Sequence, residues 1–360
     1  MNRREFTRLS ALSLAAAPFA ARPMVGQAGS GKAGFAVIGL GVIAKAFMEQ
    51  VATSQTTEVV AFVTGDPNKG RQWAQQYNVP NAKIYSYDTM HEMQSNPAIQ
   101  AVYVATPNGL HMRDTVASAK AGKHVLCEKP MATTPDECRA MIAACKAANV
   151  KLMIAYRMQY EPLHLKAKEL IASGALGRIA TIEGSFGFPI QPNVWRLTKK
   201  LAGGGPLVDV GIYPLNAIRF LMGEEPAAYT AMASTTDTAS GRFKEVEESM
   251  VWTMKLPSGA LATCSTSYGA SLPGFLEIHG EKGVLDFQNA FGNGGVHLVG
   301  SGSAKMDESS PRVATQLRLE AEHLAECMHN NTTPRSPGEE GLRDHLIFAQ
   351  LYKAAGVHSS

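Results

Sequence analysis

The sequence predicts an α/β fold in two parts: a helix-covered parallel sheet, then an α+β domain on a mainly antiparallel, open sheet. Three observations carry this. From Phe35 to Tyr156 short apolar runs take turns with segments of helical period, as in a parallel sheet with helices on both faces. After Tyr156 the runs become β-like with short turns between them, which suits strands with one covered and one open face. With 360 residues, 45% of them apolar, the chain can fill two cores.

The elements follow in order. Residues 1–28 read as a signal peptide: MNRREFTRLS is basic and polar, LSALSLAAAPFAA is a modest apolar run, and VGQA ends in small residues. Arg3-Arg4 with Glu5-Phe6 resembles a twin-arginine export signal, which implies folding before export to the periplasm. The apolar run is shorter than the roughly 20 residues of a membrane span. Residues 34–156 form the first domain, beginning with FAVIGL, the helical VIAKAFMEQVAT and EVVAFVT, and ending with KHVLC, PDECRAMIAACKAAN and KLMIAY. Residues 157–340 form the second domain, with one or two helices before VEESMVWTMKLPSGALATCSTSY and GFLEIHGEKGVLDF. Residues 289–310 are a loop or a weak edge, and helical periodicity returns over 313–330 and 338–355. The tail, 341–360, is a helix expected to pack back on the first domain.

Charge narrows the partners. The formal net charge is +3, and the four arginines and one glutamate of residues 1–28 account for all of it. The neutral remainder has no lysine or arginine cluster, so neither nucleic acid nor a membrane surface is expected as a partner. Five cysteines without a CxxC spacing read as buried or free thiols, and ten histidines without HExxH spacing predict no metal site.

Gly39-Leu40-Gly41-Val42-Ile43-Ala44 stands between the first apolar run and the first helix, where a Rossmann dinucleotide fingerprint must be. The first glycine permits a tight turn, the second lets backbone approach a pyrophosphate, and Ala44 lets helix and strand pack closely. The second strand ends Val63-Thr64-Gly65-Asp66-Pro67-Asn68-Lys69, with a hydroxyl where an NAD enzyme usually presents a carboxylate. Lys69 or Arg71 can supply charge to a ribose phosphate, so NADP is expected over NAD; Asp66, two residues on, is the competing acid.

Further along, Pro107-Asn108-Gly109-Leu110-His111, Glu128-Lys129-Pro130, Trp195-Arg196-Leu197 and Gly203-Gly204-Gly205-Pro206-Leu207-Val208-Asp209-Val210-Gly211-Ile212-Tyr213 resemble the Gfo/Idh/MocA oxidoreductases, and within them the glucose-fructose oxidoreductase subgroup. The likeness runs from about Phe35 to Ala355. It implies that Lys129 sits beside nicotinamide and substrate, before a cis bond to Pro130. A lysine at the carboxyl end of a parallel strand points into the crevice where such sheets bind ligands, and its charge can stabilise an alkoxide. Tyr213, where many members carry histidine, is read as the group that accepts and returns a sugar hydroxyl proton, and Asp209, four residues earlier, as a holder of a sugar hydroxyl. The resemblance also places Thr106, Pro107, Asn108, His111 and Glu128 near the nicotinamide ribose. It puts Tyr156, Arg157, Trp195 and Arg196 along the cleft, with Arg157 and Trp195 also facing substrate.

The expected reaction is oxidation of an aldose to its lactone with reduction of a second sugar carbonyl on the same tightly bound NADP, because a cofactor outside the cytoplasm must be recycled in place. A dehydrogenase with exchangeable NAD or NADP and an NAD-dependent glycosidase are the alternatives. A homodimer through the antiparallel sheet face is the expected assembly.

Overall fold

The computed structural model describes residues 31–357; the signal peptide expected over 1–28 lies outside the described residues. The first sheet is made by β1 (Ala33–Ile38), β2 (Thr57–Val63), β3 (Lys83–Tyr85), β4 (Ala101–Val104), β5 (His124–Glu128) and β6 (Leu152–Ala155). All pair in parallel, in the order β3-β2-β1-β4-β5-β6. Strand order reverses between β1 and β4, which opens a crevice at their carboxyl ends. Helices α1 (Val42–Val51), α2 (Pro67–Gln76), α3 (His111–Lys120) and α4 (Pro135–Ala147) connect the strands. Asp66 caps α2 and Thr134 caps α4, each followed by a proline that cannot use its missing N–H.

The second part opens with α5 (Pro162–Ala172), β7 (Ile179–Gly187), the single turn α6 (Lys199–Ala202) and α7 (Ile212–Met222). Seven strands follow: β8 (Ala228–Ser234), β9 (Ser249–Lys255), β10 (Leu261–Ser267), β11 (Leu272–Gly280), β12 (Gly283–Gln288), β13 (His297–Gly300) and β14 (Met306–Ser309). With β7 they form an eight-stranded sheet ordered β14-β13-β12-β11-β7-β10-β9-β8. Every pairing is antiparallel except β7 with β10. Period-2 alternation is plain in β9, where Met250, Trp252 and Met254 are buried while Val251, Thr253 and Lys255 face outward.

The chain then returns to the first sheet through α8 (Gln316–Asn330) and α9 (Gly338–Ala354). The sequence reading kept residues 313–330 with the second domain; instead Leu317, Ala321 and Leu324 of α8 share one core cluster with Phe47 of α1, Tyr103 of β4 and Met153 of β6. Apolar positions spaced by a helical turn need a face to cover, and α8 shares this face of the sheet with α1 and with Trp73 of α2. Helix α9 packs on α4 and β6, and Ser336 bonds the outer edge of β6 through Ile154. All five cysteines are buried and unpaired.

Candidate active site

The nucleotide-binding candidates lie along the carboxyl edge of the first sheet in strand order: Thr64, Gly65 and Lys69 beyond β2, Gly39 to Ala44 beyond β1, Thr106 to Asn108 beyond β4, Glu128 and Lys129 at β5, Tyr156 and Arg157 beyond β6. Gly39 takes φ +86, and a Cβ there would come within 2.8 Å of Thr106. At Gly41 a Cβ would meet nothing within 4 Å, α1 starts there with no side-chain cap, and its first turn holds no acid. An open, uncapped helix start fits a dinucleotide pyrophosphate. Beyond β2 the competing acid is accounted for: Asp66 accepts from the amides of Asn68 at 2.9 Å and Lys69 at 3.3 Å as the cap of α2. Thr64 is buried, and Lys69 stands exposed nearby.

Several of the side chains that the resemblance places near the nicotinamide ribose bond to the loops beyond β4 and β5. Asn108 donates to Ala202 O at 2.8 Å. His111 bridges Thr106 O at 2.8 Å and Pro130 O at 2.9 Å, tying the β4 and β5 loops together. Burial holds the His111 ring below its ordinary pKa against the pull of those carbonyls. Thr106 donates to Asp114, and Pro107 starts the turn at 108–110. The Lys129–Pro130 bond is cis.

Lys129 leaves the end of β5 and crosses to the second domain. Its Nζ donates to Asp209 O at 2.6 Å and lies 3.3 Å from Asp209 Oδ1, and it stands 4.6 Å from the centroid of the Tyr213 ring. Burial works against the ammonium, but Tyr213, Asp209 and Glu128 outweigh it and the Lys129 pKa rises above its ordinary value. Asp209 sits in a π-helical turn, Leu207–Gly211, whose wider spacing turns its carboxylate toward the lysine before α7 begins. Burial disfavours that carboxylate as well, yet Lys129, Arg196 and the Tyr268 hydroxyl hold its pKa below the usual range. Asp209 Oδ2 accepts from Arg196 Nε at 2.9 Å and from Tyr268 OH at 2.6 Å. Both its oxygens are therefore engaged by protein groups. Arg196 in turn lies over the Trp195 ring, 4.5 Å from its centroid.

Tyr213 opens α7 and is partly exposed. Its hydroxyl accepts from Arg157 Nε at 3.1 Å, and the Arg157 guanidinium stands 4.7 Å from the ring centroid. Phe186 and Phe291 pack on the same ring with centroids 5.5 and 5.8 Å away. A small cavity beside it is lined by Lys129, Tyr156, Arg157 and Asn216. Behind Lys129, Glu128 accepts from Tyr103 OH at 2.5 Å and from the Lys129 amide at 3.2 Å. Burial raises the Glu128 pKa, with Tyr103 and Lys129 opposing. A wider cleft of about 820 Å³ lies behind the Gly203-Gly204 turn and contains none of these groups.

A tyrosine ring that lines a cavity under two cations is a group suited to exchanging a proton with an alcohol or carbonyl. Residues 33–156 match the description "Oxidoreductase family, NAD-binding Rossmann fold", and residues 164–286 match the GFO/IDH/MocA C-terminal domain. The chain belongs to the Gfo/Idh/MocA oxidoreductase family. This Gfo/Idh/MocA chain is 31% identical over 322 residues to the D-xylose 1-dehydrogenase [NADP(+)] of Haloarcula marismortui, covering 87% of this chain and 88% of that one. It is 29% identical over 308 residues to the 1,5-anhydro-D-fructose reductase of Ensifer adhaerens, covering 83% and 89%. Among solved structures it resembles the aldose-aldose oxidoreductase from Caulobacter crescentus complexed with glycerol, with 40% identity, a TM-score of 0.86, and 90% and 98% of the two chains covered. Sequence reasoning missed Tyr103, Tyr268, Gln316 and Glu320 around this family site. Tyr103 lies on β4, three residues before Thr106, and the other three come from elements remote in the chain; none belongs to a motif.

Proposed function

We propose that this protein is an exported sugar oxidoreductase that holds NADP tightly, oxidises an aldose of glucose or xylose type to its lactone, and reduces a second sugar carbonyl in a ping-pong cycle. The observation that carries the reading is the convergence of Lys129 and Arg157 on Tyr213 beside the nucleotide crevice, with Asp209 fixing the lysine. NADP bound there supplies the ring that takes up and later returns a hydride. Thr64 in place of an acid, Asp66 committed to its helix, and Lys69 exposed at the rim support NADP over NAD.

Tyr213 accepts the hydroxyl proton of the aldose as its C–H bond breaks, and Lys129 stabilises the negative charge that develops on that oxygen. In the return half the same hydroxyl gives its proton to the carbonyl oxygen of the second sugar. Proton and hydride thus leave one sugar and arrive on another with no net change in the protein. Trp195 offers a flat apolar face to a sugar ring, held in place by Arg196. This is the cycle of glucose-fructose oxidoreductase. The similarity to a solved aldose-aldose oxidoreductase supports it.

Export by the twin-arginine route rests on Arg3-Arg4, and a homodimer rests on the outward face of the second sheet. There Met232 and Val251 are exposed cross-strand neighbours, and Leu261 is exposed farther along β10, opposite Lys255. The test uses protein purified without added nucleotide. Denaturing one portion should release NADP, and the rest, given D-glucose or D-xylose plus a second sugar, should form lactone and polyol in equal amounts. Empty protein that turns over only with supplied nucleotide would instead make it a dehydrogenase with exchangeable cofactor, the reading favoured by the similarity to D-xylose 1-dehydrogenase.

A further inference from the structure

Arg157 was expected to face substrate and cofactor, yet it is buried and its donors point into protein. Nε donates to Tyr213, Nη1 to Gly292 O at 2.7 Å and to Gln316 Oε1 at 3.0 Å, and Nη2 to Phe291 O at 2.5 Å. A guanidinium has five N–H donors fixed in one plane, so bonds in these directions leave it no freedom to turn toward a ligand. Two of the acceptors are main-chain carbonyls of the loop between β12 and β13, which any side chain there would provide. Gln316, the first residue of α8, is the one side chain other than Tyr213 among the described residues to which Arg157 donates. It is 3% exposed and also reaches Gly292 O at 3.4 Å.

The direction of the Arg157–Tyr213 bond matters for chemistry. Arginine can only donate, so one lone pair of the Tyr213 oxygen is taken and the hydroxyl hydrogen must point elsewhere. We propose that Gln316 is a positioning residue for proton transfer, acting through Arg157 to fix where the Tyr213 hydroxyl sits and which way its hydrogen points. The inference rests on the proposed role of Tyr213 as the proton-exchanging group. It assigns to α8, a helix far along the chain and outside the family motifs, control over a step carried out at the start of α7.

The test compares full-length Gln316→Met, which keeps the length and loses the acceptor, with Gln316→Glu, which keeps an acceptor for Arg157. For oxidation of D-glucose or D-xylose, Gln316→Met should lose roughly ten- to a hundredfold in kcat. KM for the sugar and nucleotide retention should hold, and Gln316→Glu should recover most of the rate. A second readout needs no turnover: tyrosine labelled with 3-fluorotyrosine, its Tyr213 resonance identified by loss in Tyr213→Phe, should shift and broaden in Gln316→Met and return in Gln316→Glu. A rise in KM or loss of nucleotide with kcat retained would make Arg157 a ligand contact and overturn the proposal, as would an unmoved resonance. Should Gln316→Met fail to fold, Gln316→Ala carries the same measurements. If the wild type oxidises no aldose, the functional reading fails, and the resonance alone still decides whether Gln316 positions Tyr213.

Discussion

Two ion clusters lie ten residues apart on one stretch of chain, and they are built to opposite ends. At the π-turn, Asp209 is one carboxylate between two cations, Lys129 and Arg196, with part of the surrounding surface open to the cleft. On α7, Arg219 is the buried cation among Asp344, Glu340 and Glu225, with Arg343 meeting Glu340 and Glu225 at the rim and Asn216 and Gln159 bonded within the cluster. The Arg219 side chain is 2% exposed and that of Asp344 fully buried, whereas Arg196 is 40% exposed. The first cluster leaves positive charge next to Tyr213; the second buries its centre, Arg219 and Asp344, beneath a half-exposed rim of Glu225 and Arg343, and joins α7 to α9. The difference separates charges placed beside the proposed proton-exchanging group from charges buried at the domain joint.

The largest effect that tests this contrast is at Tyr213. Tyr213→Phe should reduce sugar oxidation by about 10³-fold while stability falls by only about 1 kcal/mol, the worth of one hydrogen bond. A protein that keeps most of its turnover would remove Tyr213 from the chemistry. The mirror experiment is Arg219→Met, which strands buried carboxylates and should cost about 3–5 kcal/mol in denaturant unfolding, with turnover per folded molecule retained. Turnover lost without a change in stability would dissolve the distinction between the clusters.

Glu320 belongs to neither cluster and gives a pH test. Neither of its oxygens has a hydrogen-bond partner among the described residues, and burial first, then the Glu128 charge, pushes its pKa well above the usual value. The unfolded chain gives up this proton near the ordinary carboxylate pKa and the folded chain only at higher pH. Stability is therefore lost as pH rises through that interval. Glu320→Gln should remove the loss, so its Tm advantage over wild type should widen by a few degrees from pH 5 to pH 8. A constant difference would mean that Glu320 does not titrate in this way. The smallest effect is expected for Arg343→Ala. That side chain is half exposed where it meets Glu340 at 3.0 Å, and its removal should change stability by less than about 0.5 kcal/mol.

Much of this was legible where chemistry and chain order coincide. The glycine turn, the lysine ending β5 and the Asp209–Tyr213 spacing are local patterns, and the parallel sheet follows from alternating periods. What the sequence could not yield depends on segments meeting in space. Tyr268 follows β10 among many similar β residues and reaches Asp209 only because β10 packs against the π-turn. Gln316 and Glu320 read as ordinary polar positions of an amphipathic helix, and only the return of α8 to the first sheet buries them. Arg157 was noticed through its motif, but the direction of its donors depends on carbonyls more than a hundred residues away. The weak-edge reading of 289–310 covers what became the short strands β13 and β14, whose composition carries little periodic signal.

The return of α8 also bears on how the molecule is made. Phe47, Tyr103 and Met153 lie in the part of the chain synthesised first, but Leu317, Ala321 and Leu324 that cover them emerge some 160 residues later. At about 5–20 residues per second, a growing chain leaves the part of that face beneath α8 uncovered for on the order of ten to thirty seconds. The half that binds nucleotide is the first to leave the ribosome and among the last to be finished, so a chain stopped short of Gln316 presents an apolar surface to chaperones rather than a folded domain.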